Sequence, residues 1–220
     1  MRLVLLLSYD GTGFRGWTDV RDSALRPALR RVMGAAELPM VEAASRTDAG
    51  VHALGQVCSI QLEKEPVELN QLMYSLNQLL PDDVCVRNGA FAASTFDVRA
   101  NVAKEYRYTL STARVRDPLR RLYEWHYPSR HSGPAWNVEA ARKAARTIVG
   151  THSFSAFGNT PRGAERHAII DPVCTIEQLE LCRLGKTTFQ FRLRGDRFLY
   201  KMCRNVSDVR TFLMVDQMLH

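Results

Sequence analysis

One order of elements occurs twice along the chain, and this recurrence limits the fold more than any other feature of the sequence. In the first half, Leu3 to Tyr9 reads as a strand and Ala24 to Met33 as a helix capped by Asp22 or Ser23. Met40 to Arg46 and Val51 to Leu62 then read as strands, Leu69 to Leu80 as a helix stopped by Pro81, and Val84 to Phe91 as a strand. In the second half a strand over Tyr106 to Leu110 leads to a helix over Val138 to Val149 that ends at Gly150. Strands over Cys174 to Cys182 and Thr188 to Leu193 follow, then a helix from Phe198 to about Val215. The spacing predicts an α+β fold of two ferredoxin-like, RRM-like β-α-β-β-α-β halves, residues 1–103 and 104–220, whose antiparallel sheets join. The second half stops one strand short and reads as truncated.

Charge separates the halves. Residues 1–110 hold 12 basic and 13 acidic side chains, whereas 111–220 hold 18 and 10, so the excess moves from −1 to +8. Arginine supplies 25 of the 30 basic residues. Its planar fork suits phosphate and stacks on bases, so nucleic acid is the expected partner, with a solvated basic face as the plain alternative. No stretch approaches the roughly 18 apolar residues of a membrane span. The five cysteines are odd in number and form no C-x-x-C pair, which argues against a disulfide framework and a zinc site. They place the chain in a reducing compartment, the cytoplasm or, in a eukaryotic host, an organellar matrix.

Two short strings carry the chemistry. "GTGFRG" (11–16) matches a dinucleotide fingerprint and follows the first strand, yet the predicted helix begins several residues after Gly16. A pyrophosphate would then miss the helix N-terminus, and a turn joining strand to helix is the simpler reading. "SRTDAGVHALGQV" (45–57) sets Asp48 two residues after Arg46 and just before Ala49-Gly50. The spacing puts Arg46 and Asp48 on one face of an extended strand, with Gly50 free to take a positive φ. On residue statistics alone, Asp48 reads as a turn or cap residue.

The whole string "RTDAGVHALGQV" resembles the signature of the tRNA pseudouridine synthase A family, and further matches fall in the same order. "YDGTGFRGW" (9–17) is similar to the family's opening strand and turn, and "FDVRANVAKEYRY" (96–108) to its tyrosine-bearing strand. "GTHSFSAF" (150–157) is similar to the loop after its long helix, and "FLYKMCRN" (198–205) to its arginine-bearing helix start. The resemblance runs from residue 3 to about residue 206.

It implies isomerisation of uridine to pseudouridine in the anticodon stem-loop of tRNA, without cofactor or metal, by a homodimer. On this resemblance Asp48 is the nucleophile, Tyr106 stacks on the target base, and Arg204 pairs with Asp48 to hold it charged. Arg46 helps keep the flipped nucleotide in place. Arg99 and the linker arginines Arg120 and Arg121, in the basic second half, are the expected RNA contacts. His52 and His152 read as structural. The sequence departs from the family at Thr18, usually glutamine, at Asp97, usually histidine, and after Asn205, where "VSDVRTFLMVDQMLH" replaces a longer ending. Two other readings stay open: a non-catalytic binder of structured RNA, and a nicotinamide-dependent oxidoreductase built on the glycine string.

Overall fold

In the computed structural model, residues 1–35, 37, 40–62, 68–127, 137–160 and 170–208 are described. The fold is mixed α+β, with two sheets and few helices, and it divides into two compact units, Met1–Asn101 and Val102–His220.

The first unit is a four-stranded antiparallel sheet in the order β2-β3-β1-β4, with β1 Arg2–Tyr9, β2 Val41–Ala43, β3 Ala53–Gln61 and β4 Val84–Ala92. On β1, Leu3, Leu5, Leu7 and Tyr9 alternate inward, as a half-buried strand requires, and pack with Leu25, Leu29, Ile60 and Leu76. Two helical stretches cover that face: α1 Trp17–Asp19 with α2 Arg26–Met33, and α3 Leu69–Asn77. The Glu68 carboxylate caps α3, accepting from the Asn70 and Gln71 amides at 3.1 and 3.2 Å.

Helical winding starts at Trp17, seven residues ahead of the expected Ala24, and passes from α1 to α2 through a π segment, Val20–Leu25. Pro27 explains the wide turn. It has no amide hydrogen, and in a regular α-helix its ring would strike the Ser23 carbonyl. Neither expected cap acts as one. Asp22 pairs with Arg21 at 2.8 Å and Arg26 at 3.3 Å, and Ser23 donates its hydroxyl to the Asp19 carbonyl at 2.6 Å. The second strand is also shorter than expected, ending at Ala43 and leaving Arg46 in a loop.

The second unit holds a five-stranded sheet in the order β6-β5-β9-β8-β7, with β5 Lys104–Ser111, β6 Trp125–His126, β7 Gly150–Ser153, β8 Val173–Arg183 and β9 Thr188–Gly195. Helix α4, Val138–Ile148, is capped by Asn137 and packs Ala141, Ala144, Ala145 and Ile148 against Leu181, Phe191 and Leu193. Helix α5 is Met202–Val206. The three expected strands are therefore joined by β6 and β7. Both are short, and β6 runs parallel to β5 beside Leu110 and Ser111 only. The helix expected from Phe198 to about Val215 is α5 over Met202–Val206 only: Lys201, at φ +60°, bars an earlier start, Ser207 closes it, and the stretch past Asp208 lies outside the described residues.

Candidate active site

Asp48 is exposed, in a loop whose backbone is fixed on both sides. The Ala44 amide donates to the Val57 carbonyl at 2.9 Å, and the Ser45 carbonyl accepts from the side chain of buried Gln56 at 2.5 Å. The Thr47 carbonyl accepts from the Trp17 amide at 3.0 Å, while its hydroxyl lies 2.7 Å from that of Tyr9. Past Asp48, the Val51 amide closes a turn onto the Asp48 carbonyl at 3.1 Å, and the Gly50 amide donates to the Phe14 carbonyl at 3.1 Å. Gly50 takes φ +75°, the conformation that the turn needs.

The glycine string is the other wall of this arrangement. A Cβ on Gly11 would stand 2.1 Å from the Val51 carbonyl oxygen, and one on Gly16, at φ +96°, 2.6 Å from that of Thr47. Backbone from the Asp48 loop fills the space that these glycines leave open, where a dinucleotide site would need room for pyrophosphate. The helix does begin straight after Gly16, so a late helix start is no ground against a nucleotide, and this steric one replaces it. Next to Gly11, His52 Nδ1 accepts from the Gly11 amide at 3.1 Å, a bond that braces the residue before β3 against the turn.

Arg46 is exposed on the same loop. Arg99 is ion-paired, its guanidinium 3.1 Å from Glu42, a carboxylate that also holds Arg2 at 2.5 Å.

Tyr106 and Arg204 lie in the second unit. Tyr106 is half-buried on β5 with its ring edge-on to Phe198, centroids 5.1 Å apart. Nearby, burial pushes the Lys104 ammonium below its ordinary range, with the Asp196 carboxylate opposing. Burial likewise raises the Tyr108 phenol, and the positive charge of Arg204 works against it. Arg204 is exposed on α5, which follows Lys201 at φ +60°, the one non-glycine with positive φ among the described residues. Asn205 anchors this helix by donating to the Phe157 carbonyl at 2.7 Å and the Asn159 side-chain oxygen at 2.6 Å. The linker arginines make local contacts: Arg120 reaches Glu124 at 3.5 Å and Arg121 donates to the Pro118 carbonyl at 2.8 Å. His152, on β7, lies 3.2 Å from the Val149 carbonyl.

Sequence reasoning did not single out Tyr9 and Thr47, which hold the Asp48 loop in the first unit, or Phe198 and Asn205, which lie beside Tyr106 and on the helix of Arg204 in the second. Each lies inside a string that carries the resemblance. Among the described residues no helix is long and apolar enough to cross a membrane, and no group of three His, Cys, Asp or Glu is placed to hold a metal ion.

Comparison with known proteins places the chain. A family model described as tRNA pseudouridine synthase matches residues 144–218. The chain is 33% identical over 211 residues to tRNA pseudouridine synthase A of Thermotoga neapolitana, covering 93% of this chain and 81% of the relative. It is 35% identical over 220 residues to the Bacillus subtilis protein of that name, covering 94% and 81%. With the Methylacidiphilum infernorum protein the identity is 37% over 209 residues, covering 92% and 76%. With relatives this similar over most of both chains, the protein belongs to the tRNA pseudouridine synthase A family and is an isomerase that makes pseudouridine in tRNA.

Proposed function

We propose that the protein isomerises uridine in the anticodon stem-loop of tRNA with Asp48 as nucleophile. The observation that carries this reading is the Asp48 loop itself: a solvent-facing carboxylate on backbone hydrogen-bonded before and after it. A nucleophile that must stay aligned while a detached base turns needs such a mount. The carboxylate attacks carbon, at sugar C1′ or base C6, and the balance is the same by either route. The C1′–N1 bond breaks, the uracil rotates, a C1′–C5 bond forms, the bond from Asp48 to the attacked carbon breaks to return the free carboxylate, the C5 proton leaves and N1 gains one. The target base leaves its stack first.

Tyr106 stacks on the flipped base, Arg204 holds Asp48 charged, and Arg46 helps hold the flipped nucleotide open. Arg99, Arg120 and Arg121 contact phosphate, exchanging their carboxylate or carbonyl partners for RNA. The working form is a homodimer without metal or organic cofactor. The order β4-β1-β3-β2 supports reading the first unit as a ferredoxin-like half, and β5-β9-β8 repeats its β1-β3-β2 part. The test is to incubate the protein with an unmodified tRNA transcript and map pseudouridine by carbodiimide adducts and primer extension. New stops confined to the anticodon stem-loop are expected; stops elsewhere, or none, overturn the assignment of the substrate site.

A further inference from the structure

We infer that Tyr9 and Thr47 form a positioning pair for Asp48, and that the 9–17 turn is the element that aims the carboxylate; this rests on the reading of Asp48 as nucleophile. The glycine string, left without a nucleotide to bind, gains a role.

Thr47 is the residue immediately before Asp48, and both of its outward polar groups end on that turn. Its carbonyl accepts from the Trp17 amide at 3.0 Å, and its hydroxyl meets the Tyr9 hydroxyl at 2.7 Å. Tyr9 can serve as a fixed point because the residue is 4% exposed and its neighbour Trp17 3%, with ring centroids 6.4 Å apart. A phenol at the end of a buried ring has almost no rotamer freedom, so the bond transmits the position of the core to the loop. Gly11 and Gly16 let the turn approach this closely, since a Cβ on either would overlap a carbonyl of the 47–51 segment. Neither Tyr9 nor Thr47 needs to touch substrate.

The hydroxyls can be removed without emptying the core. Tyr9→Phe keeps the ring, Thr47→Val keeps the branched shape, and Thr47→Ser keeps the hydroxyl. Each variant, the double variant and Asp48→Asn are compared with wild type by single-turnover rate on tRNA, tRNA Kd and urea midpoint. Tyr9→Phe and Thr47→Val are expected to slow the single-turnover rate by about 10- to 100-fold, the scale of a misplaced reacting group, with Kd within about threefold. Thr47→Ser recovers most of the rate, and the double variant is no slower than the slower single one, because both lose one bond. Wild-type rates in both single variants beside an inactive Asp48→Asn would overturn the positioning role and leave the nucleophile standing. Additive losses, or rate losses matched by falls in affinity and urea midpoint, overturn it too. Turnover by Asp48→Asn removes the reading on which the pair depends.

Discussion

Gly16→Ala is the perturbation whose cost the structure fixes best. Gly16 has φ +96° and ψ −174°, a region that only glycine occupies comfortably, and placing another residue there costs on the order of 1–3 kcal/mol. Its new methyl would stand 2.6 Å from the Thr47 carbonyl oxygen, well inside contact distance, so the backbone ahead of Asp48 must move. Forcing an extra carbon into a filled space adds about 1–3 kcal/mol. The sum, about 2–6 kcal/mol, is a large part of the roughly 5–15 kcal/mol that holds a domain together. In urea, with a slope of about 2 kcal/mol per molar, the midpoint falls by about 1–3 M, followed by tryptophan fluorescence. Gly34→Ala is the control: it too has positive φ, +63°, but a Cβ there meets nothing within 4 Å. It costs about 1 kcal/mol, the ordinary penalty for a left-handed alanine, and leaves turnover intact. Equal midpoints for the two variants would refute the argument, because only Gly16 combines a glycine-only backbone region with a carbonyl at 2.6 Å.

Other parts of the molecule give three more tests. Burial pushes the Cys58 thiol up to about 12 from an ordinary 9.0, so the folded state keeps a proton that the unfolded state releases. This contribution to stability is complete below pH 9 and is lost at about 1.4 kcal/mol per pH unit as the pH rises toward 12; Cys58→Ala flattens that limb of a urea-midpoint profile. Asn205→Ala removes both bonds from α5 to the 157–159 segment, costing about 1–3 kcal/mol of stability and slowing turnover by loosening the mount of Arg204, as read by urea unfolding and single-turnover kinetics. Replacing Arg120 and Arg121 by alanine weakens tRNA binding and lowers the slope of log K against log salt by about 2, one for each phosphate that an arginine no longer neutralises.

Much of the fold was legible because the core elements are local patterns. The alternation of Leu3, Leu5, Leu7 and Tyr9 announces β1 without any knowledge of its partners. The start of the first helical stretch was not legible: Gly16 offers no side-chain cap, and the π segment that accommodates Pro27 hides the usual helical spacing. Strands β6 and β7, two and four residues long, owe their existence to neighbours distant in sequence and carry too few residues to show a period. At the site, the string around Asp48 pointed to the carboxylate. The bond that steadies it joins Tyr9 to Thr47 across 38 positions, and no spacing rule connects them. The glycines were readable as a turn, but the carbonyls of Thr47 and Val51 that require them were not.

The most direct test of Asp48 as nucleophile measures tritium release from tRNA labelled at uridine C5, with Asp48→Asn run beside the native sequence and tRNA binding followed for both. The expected result is release by the native protein, none by Asp48→Asn, and affinities within a few-fold of each other. Release by Asp48→Asn at a rate near the native one would contradict it.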